Sequence, residues 1–216
     1  MSPRWARPWF AATAFCAFAG VVISAITAAN NSGGHFHPAA ARAANAFAFF
    51  TIQSNLLAGL GSLLLALRPE RDSQSFAVLR LTGVTAITVT GVVFHAVLAR
   101  TLDLAGWDAL GNELVHTVVP IMTVVGWLAV GPRRIVTARA VWLSLIFPLC
   151  WLAFTLIRGA IAHWYPYPFI DVTTLGYFRA AVNCVWVALL LLGLSAGAKL
   201  LDGWLGRRAT VAGAAR

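Results

Sequence analysis

The chain has 216 residues, 60% of them hydrophobic and 11% charged, whereas soluble domains run at about 45–50% and about 25%. That balance excludes an ordinary soluble enzyme. The formal charge of +9 does not imply nucleic acid, which needs a basic stripe on one folded surface; here the charge sorts by loop, so no nucleic-acid partner is expected.

A membrane-crossing helix needs roughly 20 mostly apolar residues, and six such runs follow one another: Trp9–Ala29, Asn45–Leu67, Val78–Leu98, Leu110–Val130, Val141–Ile161 and Leu175–Gly197. The expected fold is all-α: one polytopic bundle of six transmembrane helices filling residues 1–216, with loops too short for a second domain. The first run follows Arg4 and Arg7 as a signal peptide would, but it exceeds the usual core of roughly 7–15 apolar residues and reads as a retained helix. Cys16, Cys150 and Cys184 lie inside apolar runs without metal-like spacing and read as packing residues.

Six crossings put both termini on one side. Arg4, Arg7, Arg68, Arg71, Arg80, Arg133, Arg134, Arg139, Lys199, Arg207, Arg208 and Arg216, twelve of the sixteen basic residues, fall on the face that holds the termini. The positive-inside bias makes that face cytoplasmic and the protein a multi-pass cell-membrane protein. Arg42, Arg100, Arg158 and Arg179 fall at the opposite, outer face.

Polar groups in a membrane are costly and face the bundle interior or a wet cavity, so their depth is informative. With the second run entering from outside near Asn45, Thr51 lies ~9 Å deep at the helical rise, and Ser54 and Asn55 lie one turn further. The fourth run enters near Leu110 and brings Asn112, Glu113 and His116, the last again at ~9 Å. His95 and Arg158 sit one turn inside the outer ends of the third and fifth runs, and Arg179 and Asn183 share a face at i,i+4 in the sixth. All five histidines fall in the outer half or outer loops. This one-sidedness points to a polar pocket near the outer leaflet, suited to a lipid-like ligand.

Each residue also has a plainer role. Thr51 is of a type that bonds its own i−4 carbonyl, His116 could be a packing residue, Arg158 could snorkel outward, and Arg179 could lock onto Asp171. Thr85, Thr88, Thr90 and Gly91 resemble small-residue helix packing, and His35-x-His37 sits in a glycine-rich loop. Level depth is what favours chemistry. A hydroxyl attacks an ester when a base within hydrogen-bond reach takes its proton; Thr51 and His116, on different helices at similar depth, permit that contact, and Glu113 three residues before His116 could orient the imidazole or simply mark the membrane boundary. Zinc held by His95, His116 and His163 with Glu113 or Asp171 is an alternative whose spacing is poor, bis-histidine haem on His95 and His116 is a weaker one, and a lipid-binding, transport or structural protein needs no nucleophile. The serine-hydrolase signature Gly-x-Ser-x-Gly is absent.

Phe50-Thr51, Asn112-x3-His116-Thr117 with Pro120, and Trp164 followed by Tyr167-Pro168-Phe169-Ile170-Asp171 resemble a known family in their order along the chain. It is the family of androgen-induced-gene-one and androgen-dependent tissue-factor-pathway-inhibitor-regulating proteins. The longer strings Phe49-Phe50-Thr51-Ile52-Gln53-Ser54-Asn55-Leu56 and His116-Thr117-Val118-Val119-Pro120 are still more similar to six-helix actinobacterial relatives. The resemblance spans the second to sixth runs. It differs from the animal members in having one residue fewer between His116 and the following proline and in the Gln53-Ser54-Asn55 run. It implies a multi-pass hydrolase cleaving fatty acid esters of hydroxy fatty acids, with Thr51 as nucleophile and His116 as its histidine. To these are added, by inference from the residues alone, Asn55 or Asn183 as oxyanion donors, Arg158 or Arg179 as head-group ligands, His95 as a further substrate contact, and Glu113 or Asp171 as the orienting acid. No cofactor or metal is expected, and the partner is a membrane lipid in the bilayer.

Overall fold

The computed structural model describes residues 4–33 and 35–214; Arg216, counted above with the inner charges, lies outside them. Among the described residues every regular element is helical: α1 (Ala6–Asn30), α2 (Ala39–Ala46), α3 (Phe50–Leu67), α4 (Gln74–Val93), α5 (Gly106–Glu113), α6 (Val119–Ala129), α7 (Ala138–Ser144), α8 (Ile146–Ala162) and α9 (Val172–Ala214). A π turn, Phe94–Leu98, continues α4, and a second, Leu114–Val118, joins α5 to α6. Merged across these joints they give six helices long and apolar enough to cross a membrane.

The spans occur where hydropathy placed them, but four of them are not single regular rods. The second breaks at Phe47–Phe49, whose N–H groups donate three residues back to Ala44, Asn45 and Ala46; Phe49 is extended and α3 starts afresh at Phe50. Thr51 is therefore in a helix's first turn, not part-way along a continuous span. The fifth breaks at Leu145, three residues before Pro148, which has no N–H for the Ser144 carbonyl. In the fourth, Pro120 has none for the His116 carbonyl, and the ladder widens just ahead of it: Val119 N–H donates five residues back to Leu114 O. The sixth runs well past Gly197, from Val172 to Ala214, and bends at Gly176, whose φ of 72° suits a residue without Cβ.

α3 and α4 are the central pair, with 56% and 61% of their apolar windows buried against 22% and 17% for the fifth and sixth spans. α1 packs on α3, and α4 packs on α3, α6, α7 and α9. α4 comes close to the second π turn because Gly91 has no side chain: a Cβ there would sit 3.1 Å from Pro120 Cβ and 3.3 Å from the His116 carbonyl. Ser73 caps α4 and Thr137 caps α7 by accepting from Phe76 N and Ala140 N. α8 is held across the bundle mainly by aromatic contacts, Phe147 and Trp151 against Phe50, with Trp151 Nε1 donating to Ala48 O at 3.0 Å.

Candidate active site

The site is assembled from two helix irregularities and one loop. Thr51, the second residue of α3, is 6% exposed, and its backbone N–H is one of the first-turn donors that a helix leaves unpaired. The Tyr167 hydroxyl, from the loop between α8 and α9, accepts that N–H at 3.1 Å and lies 3.1 Å from Thr51 Oγ1. On its other side Thr51 Oγ1 is 3.2 Å from His116 Nε2 in the second π turn. His116 Nδ1 faces the Asn112 carbonyl at 3.1 Å, and the imidazole stacks on Phe94 with centroids 4.0 Å apart and planes at 18°.

The directions of these bonds follow from one atom. A carbonyl can only accept, so Nδ1 carries the imidazole proton and Nε2 presents a lone pair. Thr51 Oγ1–H then donates to Nε2, Tyr167 O–H donates to Thr51 Oγ1, and Tyr167 Oη accepts from Thr51 N–H. The chain is complete, with the hydroxyl aligned on a neutral imidazole base.

Asn55, fully buried, fixes the separation of the two partners. Its Nδ2 donates to Thr51 O at 2.8 Å and to Val115 O at 3.0 Å, the latter a carbonyl left free where Val119 N–H bonds Leu114 instead. Ser54 Oγ adds a bond to Thr51 O and another to Thr90 on α4, both at 2.9 Å. Tyr167 is held by its flanking prolines, by stacking on Phe169 and by the edge of Phe49, with Trp151 beside it. Burial raises its phenol pKa above the ordinary 10, more than the Thr51 bonds lower it.

The other expected site residues are elsewhere. Glu113 is exposed, because the π turn that starts at the next residue carries His116 off its face; the Asn112 carbonyl is the orienter. Asn55 spends both amide hydrogens on backbone and has none for an oxyanion. Asn183 Nδ2 donates to Phe169 O at 2.8 Å, behind Tyr167. Arg158 donates to Asn45 Oδ1 at 2.8 Å between the rings of Phe36 and Trp164, bracing the loops. Arg179 is exposed, and the Asp171 carboxylate accepts from Thr173 N and Oγ1 at the start of α9. His95 Nε2 lies 3.1 Å from Thr117 Oγ1, one residue from His116. Among the described residues no group of three or more His, Cys, Asp or Glu is gathered as a metal would require, and His163 instead ends α8 in a left-handed conformation. The i−4 bond expected of a membrane threonine is made by Thr13, Thr82, Thr85 and Thr88; Thr51 bonds to His116 and Tyr167.

Two cavities meet at the pair. One, of about 280 Å³, is almost wholly apolar and lies among α3, α4, α8 and α9; the other, of about 530 Å³, is edged by Asn31, Arg42, Asp108 and Asn112. Thr51, His116, Tyr167, Phe94 and Leu98 belong to both. Arg42 walls the polar cavity while donating to Ala28 O and Ala29 O at the end of α1 and to Phe36 O and His37 O.

Sequence reasoning named Thr51 and His116, but missed Phe94 and the Asn112 carbonyl and saw Tyr167 only as part of a motif. The one available signal was a tyrosine between two prolines in an aromatic loop. Compared with family models, curated proteins and solved structures, the chain has no match.

Proposed function

We propose that this chain is an integral membrane hydrolase of lipid esters, with Thr51 as nucleophile and His116 as general base and then acid. The reading keeps the resemblance to the androgen-induced-gene-one family and puts the Thr51 end of the bundle outward, with both termini in the cytoplasm. The observation that carries it is the 3.2 Å contact of Thr51 Oγ1 with His116 Nε2, with the Tyr167 hydroxyl on the opposite side of the same oxygen.

His116 Nε2 takes the Thr51 proton as Oγ1 bonds to the ester carbon and the carbonyl π pair moves onto oxygen. The Tyr167 O–H, no longer directed at a free hydroxyl, donates to that oxyanion, strengthened as a donor by the Thr51 N–H on its oxygen. Collapse breaks the bond to the alcohol oxygen, which leaves with the proton from Nε2. Water then repeats the sequence: its proton passes to Nε2, its oxygen bonds the acyl carbon, and Thr51 leaves reprotonated with a free carboxylic acid. No cofactor enters the scheme.

The rival reading is a non-enzymatic lipid binder, and an alkyl fluorophosphonate probe decides between them. Wild type should be labelled and should hydrolyse p-nitrophenyl esters, Thr51→Ser should keep part of both activities, and Thr51→Ala should lose both while inserting at equal level. Undiminished labelling or turnover in Thr51→Ala sinks the hydrolase. Reporter fusions near Arg133 and Arg208 should read inside and those near Asp103 and Asp171 outside; the reverse pattern overturns the topology.

A further inference from the structure

Both cavities open onto one hydroxyl, and only the larger has charged and amide side chains in its wall, Asn31, Arg42, Asn45, Asp108 and Asn112. The apolar slot is also open sideways: Leu149, Val185 and Leu189 line it and are 59%, 56% and 52% exposed. α8 and α9 flank this opening without extensive backbone contact between them. From Cys184 near the pair to Leu192 the wall of α9 descends eight residues, ~12 Å at the helical rise.

We propose that the slot is the acyl-chain site: a straight acyl chain passes from the bilayer between α8 and α9, and the alcohol half of the same ester occupies the polar cavity and leaves through it. The inference rests on the hydrolase reading and assigns the two arms of the substrate. After the first step the acyl group remains on Thr51 while the alcohol must depart and water must reach His116 Nε2. A chain lying in the polar cavity would block both, and an apolar slot is a poor water path because water there lacks polar partners. The chain therefore belongs in the dry slot and water in the polar one. Moving an acyl chain from lipid into an apolar slot brings little hydrophobic gain, as lipid tails are already apolar; the slot acts by fit. Selectivity should therefore fall off with length at its deep end, near Val89, Leu145 and Leu192, instead of rising steadily with chain hydrophobicity.

The test uses full-length protein and p-nitrophenyl esters, which keep one leaving group while the acyl part runs from butyryl through octanoyl and dodecanoyl to palmitoyl. Val89→Phe should cut kcat/KM for the longest acyl group at least tenfold more than for the butyryl ester. Leu145→Ala should move the optimum to longer chains. Ala28→Leu, in the polar cavity, should leave the acyl-length profile in place and slow esters of bulkier alcohols. If wild type is active and labelled at Thr51 but Val89→Phe and Leu145→Ala leave the acyl profile unchanged, or change the alcohol preference instead, the assignment of arms is wrong and the hydrolase stands. If wild type is neither labelled nor active, both fall.

Discussion

The two ends of the bundle each bury polar side chains and use them differently. At the end away from Thr51, Arg80 (6% exposed) donates to Val130 O and Pro132 O at 3.0 and 3.1 Å, and Asp202 (2% exposed) accepts from Val136 N at 3.0 Å. These charges tie a loop to helices, and the cavity beside Arg80 is only about 20 Å³. At the Thr51 end the hydroxyls and imidazole bond chiefly to one another, beside two cavities of about 280 and 530 Å³. Buried polarity alone does not mark a site. Polarity whose partners are reactive groups, with room for a ligand beside them, does.

The largest effects that sharpen this contrast come from Thr51 and His116, the pair proposed to react. Thr51→Ala and His116→Ala should each bring ester turnover to background, and the double variant should be no worse than either, because groups acting as a unit are strongly non-additive. Initial rates on one p-nitrophenyl ester, normalised to folded protein, test this. Additive losses would mean that the two residues do not work on the same proton.

Next in size is Tyr167→Phe, which removes one hydroxyl and leaves the ring packed on Phe169. Loss of an oxyanion donor costs about 10²–10³ in kcat, with KM little changed. The phenol pKa is raised by burial, so the O–H persists above pH 10, and wild-type kcat should show no alkaline fall below that pH. An equal rise in KM would make Tyr167 a binding residue, and a fall near pH 9 that Tyr167→Phe abolishes would mean that the phenol ionises below its ordinary range.

The opposite end should behave in reverse. Arg80→Met leaves the carbonyls of Val130 and Pro132 without a donor at a buried helix junction, at a cost of about 2–4 kcal/mol of stability. Thermal unfolding in detergent should show a lower midpoint while turnover per folded molecule stays within twofold. A selective loss of activity would place Arg80 in the functional machinery and erase the distinction between the ends.

The six spans were legible because hydropathy sums over twenty residues and tolerates local error. Their breaks were not: Pro120 and Pro148 were visible, but whether a proline gives a kink, a π turn or a clean break depends on what neighbouring helices do with the freed carbonyls, as Asn55 does with Val115 O. Thr51 and His116 were legible by depth, although the continuous helix assumed for Thr51 ends at Ala46 and restarts at Phe50. Tyr167 was not, since it meets α3 from 116 residues away, and no local pattern encodes that contact.

The smallest predicted effect concerns Glu113, which the sequence offered as the acid behind His116. That expectation assumed an α-helical spacing in which i and i+3 share a face. The chain turns more widely from Leu114 on, Glu113 is left exposed, and Nδ1 meets the Asn112 carbonyl instead. A carbonyl fixes the tautomer as a carboxylate does, but carries no full charge to stabilise the imidazolium that the proposed mechanism forms on His116. Glu113→Gln should accordingly leave kcat, KM and the pH-rate profile within twofold of wild type. A loss on the scale of a missing triad carboxylate, near 10⁴ in kcat, would require Glu113 to reach His116 during turnover and would replace the carbonyl-oriented pair with a triad.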